Sequence, residues 1–328
     1  MKNIRAVILT ILLTCASLGL SAQTQYEGES LKLEKQGAHY TFVASINGKA
    51  NATVLLESGI SAMLVDSAFV FSSGILSDLE LVPTAGKAKM NLGGRVYVIT
   101  HKACGTVKIG ENISYRGEVF ILSGYARNYN AAVPVQYLHN ENDNGIRLVR
   151  LDLSNNILQL ISRTSFRKQQ AFSKVKMNTD TYLGMPAVET TVLIGYGSQS
   201  RKLKGNFNID FGNPELLFLL HQHKDVQQFF ADNSDIQLRQ ARNPRGEVVA
   251  QFMIAEECQI CGTKFPNAVI AITENLPRFT TTGNIGLKFF NSIEAILDFD
   301  KNMMYLLYSH SSKKILPDAY TVICSRTL

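Results

Sequence analysis

Two short runs in this chain could place carboxylates for chemistry: Glu57-Ser58-Gly59 and Asp210-Phe211-Gly212. Each follows an apolar stretch and precedes another, VLLE before MLV and FNID before LLFLL. An acid with glycine two residues on suits a tight turn, because glycine accepts backbone conformations that other residues avoid. Two carboxylates held within hydrogen-bond reach cannot both ionise cheaply, so such a pair shares a proton. One member can then act as a base towards water while the protonated member polarises a carbonyl. That chemistry needs no cofactor and no metal, and neither is expected here. Taken singly, each triplet reads equally well as an ordinary turn.

Other candidates are weaker. Cys258-Gln-Ile-Cys261 has the spacing of a redox pair, but it lies in the strand-like run VVAQFMIAEECQICGTKFPNAVIAI. A reactive pair belongs at a helix start, where a thiol pKa falls, so a structural role is expected. His221-Gln-His223 has a strand-face spacing for a metal, yet nothing ties it to the cysteines. Asp152 and Asp298 each end an apolar run ahead of a polar turn, and the expectation is that they start those turns.

The elements around these residues read mainly as strands. Two β-branched stretches flank Asn47-Gly48, a dipeptide that favours a hairpin. Asp66 can cap a short helix over SAFVFSS, and DVQQFFAD carries an apolar pair at helical spacing. The order of elements occurs twice. In each half an apolar strand, an acid-x-Gly turn, a further strand and a short helix lead to a run of strands and a closing strand bearing Asp152 or Asp298. The expected organisation is a first lobe over 23–163, a basic polar linker over 164–180 and a second lobe with its tail over 181–328. A hairpin around Asn91-Leu92-Gly93-Gly94 is placed to act as a flap over a cleft.

Composition bounds the rest. The 328 residues carry 33 Lys and Arg against 27 Asp and Glu, a formal charge of +6 with no long basic run. That excludes a nucleic-acid footprint. Lys2 and Arg5 precede an apolar run too short to span a bilayer comfortably, and Ser21-Ala22 offers small residues for cleavage. Residues 1–22 are therefore expected to be a signal peptide, the mature protein exported to the periplasm or beyond, with no remaining membrane span. Cys15 leaves with that leader; Cys104, Cys258, Cys261 and Cys324 remain, compatible with two disulfides in any of three pairings.

The duplicated acid-x-Gly turns carry a resemblance to the bilobal aspartic peptidases, both pepsin-like and retropepsin-like. In that family each lobe presents an Asp-Thr/Ser-Gly turn with a hydrophobic-hydrophobic-Gly element packed behind it. The resemblance runs from about Tyr40 to Tyr308. Asp210-Phe211-Gly212 matches one turn, Asn284-Ile285-Gly286 its supporting element, and Glu57-Ser58-Gly59 falls where the other turn belongs. The resemblance implies an all-β fold of two pseudo-symmetric barrel lobes around a cleft, with few short helices. It also implies Glu57 and Asp210 as catalytic acids, and Ser58, Gly59, Phe211, Gly212 and Gly286 as supporting turn residues. A peptide or protein in the inter-lobe cleft is the implied partner.

Three positions depart from the family pattern. Glu57 stands for Asp, Phe211 for the bracing Thr or Ser, and Ala132-Val133-Pro134 for the first hydrophobic-hydrophobic-Gly element. The extra methylene of Glu57 moves its carboxylate by about 1.5 Å, and misplacement of about 1 Å can cost roughly a hundredfold in rate. The expectation is an inefficient peptidase. The alternatives are a non-catalytic peptide-binding protein on the same fold, and an exported β-sandwich of adhesive role with no twofold relation between Glu57 and Asp210.

Overall fold

The structure is a computed structural model that describes residues 26–86, 88–92, 95–125, 129–167, 173–179, 184–242, 244–273 and 280–307. The expected leader with Cys15, the Gly93-Gly94 hairpin tip, the tail and Cys324 lie outside the described residues.

Strands dominate, with short helices at Ser67–Ser73, Arg163–Arg167, Lys224–Asp232 and Leu287–Phe290. Two sheets form, of ten and thirteen strands. In the first, Ala50–Glu57 runs parallel to Ala131–Pro134, which lies antiparallel to Met63–Asp66. Met63–Asp66 in turn runs parallel to Ile113–Ser123. In the second, Gln199–Ile209 runs parallel to Gly283–Ile285, which lies antiparallel to Leu217–Leu220. Leu217–Leu220 runs parallel to Thr263–Thr273. The two halves thus repeat one connectivity, as the duplicated sequence order implied.

The halves join through a six-strand layer. Gly28–Lys32, Ile157–Ile161 and Leu148–Asp152 come from the first half, and Glu294–Asp298, Met303–Leu307 and Ser173–Asn178 complete it. Arg150 and Ile296, which hold equivalent places in the two closing strands, are register partners here, so the pseudo-twofold axis passes between them. The strand Leu148–Asp152 is buried throughout, which its unbroken run of large side chains suits. Arg150 is neutralised within it by Asp152 at 2.9 Å and by Glu294 across the axis at 2.7 Å. The 164–180 stretch contributes most of the helix Arg163–Arg167 and the strand Ser173–Asn178 to this region. Arg163 pairs with Asp298.

The second lobe closes into a six-strand barrel where Ala187–Tyr196 meets Val248–Ile260, pairing Leu193 with Gln259. In the first lobe one turn residue, Asn47, ties its hairpin to the end of the strand Arg95–Lys108 through both its backbone and its side chain. Asn47 N donates to the Lys108 carbonyl at 2.9 Å, and Lys108 N donates to Asn47 Oδ1 at 2.8 Å. Asn47 and Gly48 both take positive φ, the two-residue hairpin turn their sequence favours.

Local chemistry explains the remaining candidates. Asp66 caps its helix by accepting from Phe69 N at 3.1 Å. His223 caps Lys224–Asp232, its Nδ1 accepting from Asp225 N at 3.3 Å. No cluster of three or more potential metal ligands occurs among the described residues. Asp152 accepts from Asn155 N and Asp298 from Lys301 N, so both start their turns. Cys261 lies in a two-residue turn at φ 48°, and Cys258 is buried, its thiol pushed up to about 12 by that burial. Such a thiol stays protonated and unreactive. No disulfide joins any two of Cys104, Cys258 and Cys261. No helix among the described residues is long and apolar enough to cross a membrane.

Candidate active site

Glu57 ends one strand of the first lobe, and Asp210 follows the equivalent strand of the second. Strand register fixes what stands behind each acid. Pro134 lies opposite Glu57, while Asp210 N donates to the Ile285 carbonyl at 2.9 Å, beside Gly286. Pro134 and Gly286 therefore hold matching places. Gly286 has no alternative: a Cβ there would lie 2.2 Å from the Glu215 carbonyl oxygen and 2.4 Å from that of Asn213. Pro134 sits in ordinary extended backbone, φ −76° and ψ 122°, and is followed by a single turn of helix at Val135–Tyr137. Proline fits there because that position demands nothing that only glycine supplies.

The turns meet across the lobe boundary. Ser58 is fully buried. Its Oγ donates to the Ile209 carbonyl at 2.8 Å and accepts from Phe211 N at 2.9 Å. Phe211 returns no hydroxyl; its ring instead packs edge-on against Phe290 at 5.1 Å. Gln136 Nε2 supports the first turn by donating to the carbonyls of Ser58 at 3.2 Å and Ile60 at 3.1 Å.

The glycines locate the carboxylates. A Cβ on Gly212 would lie 2.9 Å from Glu57 Oε2 and 3.2 Å from Asp210 Oδ1. A Cβ on Gly59 would lie 3.2 Å from Asp210 Oδ1. Each acid thus rests against the glycine of the opposite turn, and both reach one common point.

Their surroundings differ. Asp210 Oδ1 accepts from Gly212 N at 2.9 Å, and Oδ2 accepts from Asn284 Nδ2 at 2.8 Å. Asn284 Oδ1 accepts from Asn208 Nδ2 at 3.3 Å, and Asn208 Nδ2 also donates to Thr281 Oγ1 at 2.9 Å. The matching positions in the first lobe are Leu55 and Ala132, which belong to an apolar cluster with Ile60, Phe120 and Leu122. Tyr125 extends that cluster, stacked edge-on with Tyr97 at 5.5 Å and with Tyr129 at 5.4 Å.

Ionisation follows from this asymmetry. Burial, and then the charge of Asp210, push Glu57 up to about 8, with the backbone N–H groups of Gly59 and Ser58 opposing. Burial also raises Asp210 above the usual carboxylate range, opposed by Gly212 N–H, the Asn284 amide and Asn213 N–H. Asp210 has the fuller set of donors to hold a negative charge, and Glu57 has apolar walls that favour its neutral form. These surroundings favour placing the pair's shared proton on Glu57.

The two triplets and the Asn284-Ile285-Gly286 element are legible in the sequence, but the Asn284 amide as a donor to Asp210, and the parts played by Asn208, Gln136 and the three tyrosines, are not. Asn284 offered one signal: a polar residue at the head of an otherwise apolar supporting element. The tyrosines offered none, since aromatic residues are ordinary core.

No protein-family model matches the chain, and no curated protein matches its sequence. Among solved structures it is similar to the crystal structure of an aspartic proteinase from Irpex lacteus. That match covers 88% of this chain and 99% of the other, with 12% sequence identity and a TM-score of 0.54. At that identity the likeness concerns the fold. The chain has the bilobal, all-β aspartic-protease fold, which excludes a plain β-sandwich.

Proposed function

We propose that the chain is an exported aspartic-type endopeptidase that hydrolyses peptide bonds, slowly, with Glu57 and Asp210 as an unequal acid pair. The observation that carries this reading is the shared approach of both carboxylates to the point above Gly212. An extended peptide lies in the cleft between the lobes, held by backbone hydrogen bonds. Asp210, ionised and held by Gly212 and Asn284, takes a proton from a water placed between the two acids as the water oxygen attacks the scissile carbonyl carbon. Glu57, protonated, donates to the carbonyl oxygen as negative charge develops there. The proton on Asp210 then passes to the leaving nitrogen as the C–N bond breaks and the oxyanion collapses to a carbonyl; Glu57 has given only a hydrogen bond and keeps its proton. No metal or cofactor enters these steps.

The test is cleavage of a mixed peptide library by the mature protein from pH 3 to pH 8, beside its Asp210→Ala variant. Turnover by the parent and none by the variant is the expected result. Equal cleavage by both overturns the reading.

A second reading keeps the cleft but not the chemistry: a peptide-binding protein that has lost turnover. Phe211 favours it, since only one of the two cross-lobe hydroxyl braces of the resembled family is available. Peptide binding without cleavage at any pH would establish it.

A further inference from the structure

The strand Lys89–Leu92 pairs with the start of Arg95–Lys108, with Leu92 opposite Arg95 and Met90 opposite Tyr97. Side chains directly opposite one another share a face of a hairpin, so these four point the same way. Met90, Leu92 and Tyr97 pack against the apolar cluster of Leu55, Ile60 and Leu122 that walls Glu57. Tyr97 reaches Tyr125, and Tyr125 reaches Tyr129. The opposite face of the hairpin presents Val96 to solvent, 63% exposed.

That is the reverse of what water selects: a valine turned outward and an arginine turned onto an apolar wall. Arg95 is half-buried. Among the described residues it has no ion-pair partner, whereas Arg116, Arg147, Arg150, Arg163 and Arg201 all do. Its charge is felt at Tyr129, which also lies in the field of Glu57. It is not among the groups that set the ionisation of Glu57, so it does not serve as that acid's counter-ion. A guanidinium held partly out of water against apolar side chains gains from an anion that a ligand can supply.

We propose that Arg95 binds a carboxylate of the bound peptide, so that the cleft selects peptides with an acidic group close to the bond presented to Glu57 and Asp210. This rests on the reading that a peptide occupies the cleft. It does not require that the peptide be cut. The carboxylate belongs to an Asp or Glu side chain or to the peptide's own C-terminus, and both fit the planar, two-pronged geometry of arginine.

The experiment measures binding of labelled peptides to the full chain carrying Asp210→Asn, so that cleavage does not consume the ligand, and to the parent. The peptides form matched sets in which Glu replaces Gln at one position at a time, each with free and amidated C-termini. The expected result is about tenfold tighter binding for Glu over Gln at one position, lost in Arg95→Ala and partly kept in Arg95→Lys. Arg95→Glu should shift the preference towards peptides carrying Lys there. A preference confined to free C-termini, and lost in Arg95→Ala, assigns Arg95 to the terminal carboxylate. An unchanged Glu-to-Gln ratio in Arg95→Ala overturns the proposal, as does the absence of binding by any peptide. Acid-selective binding without turnover in the parent would sustain it while removing the peptidase reading alone.

Discussion

Ser58 and Phe211 hold equivalent places in the two acid-x-Gly turns, yet only Ser58 reaches across the lobe boundary. Its single hydroxyl serves both the Ile209 carbonyl and the Phe211 amide. The hydroxyl brace between the two turns is therefore one-sided, and the buried Phe211 ring packs on Phe290 within its own lobe.

Ser58→Ala should be costly for so small a change. It leaves a buried carbonyl and a buried N–H unpaired, which amounts to a loss on the order of 2–3 kcal/mol. Urea denaturation of parent and variant measures this. A difference below about 0.5 kcal/mol would mean that water or a shifted backbone replaces the hydroxyl.

Glu57 should make the protein less stable as pH rises. Its carboxyl titrates near 4.5 when unfolded and near 8 when folded. Between those values the folded state binds more protons, so stability falls with pH. The favourable contribution is complete below about 4.5 and gone above about 8. The loss is on the order of 3 kcal/mol, allowing for the solvent the site still meets. Glu57→Gln should flatten this slope, and denaturation midpoints at the two ends of the window test it. A variant that loses as much stability as the parent would show that another group is responsible.

Glu57→Asp should raise kcat/KM, by about tenfold or more, because it draws the carboxylate back by roughly one bond length towards the position the chemistry needs. Peptide cleavage by the purified variant is the measurement. No gain over the parent would place the weakness elsewhere, at Phe211 first.

Asn284→Ala removes the donor to Asp210 Oδ2. That hydrogen bond holds the Asp210 pKa down, so without it the acid limb of the pH–rate profile should move upward. We expect kcat to fall about tenfold with KM little changed, since the lost bond supports the charge on the base. A rise in KM alone would instead make Asn284 a substrate contact.

Much of this fold could be read from local pattern. The Asn47-Gly48 turn, the Asp66 cap and the turns begun by Asp152 and Asp298 are decided within a few residues, by backbone conformation and side-chain-to-backbone hydrogen bonds. His223 shows where residue type misleads: its spacing from His221 suits a strand face, but both lie past the strand Leu217–Leu220, and His223 caps the helix that follows. Pro134 is similar. As a residue type it conflicts with a glycine position, yet its extended backbone makes the conflict disappear.

The sequence alone determined the duplicated order of strands and the two acid-x-Gly turns, because periodicity and turn chemistry act between near neighbours. Only the tertiary structure decided how the two acids differ. Polar Asn208 and Asn284 stand behind Asp210, while apolar Leu55 and Ala132 stand behind Glu57. Of these, Asn284 and Ala132 are brought in by parallel strand pairing from some 75 residues away along the chain. Proton affinity in a buried pair depends on what surrounds each oxygen, and residues this distant in sequence carry no mark of which oxygen they will face.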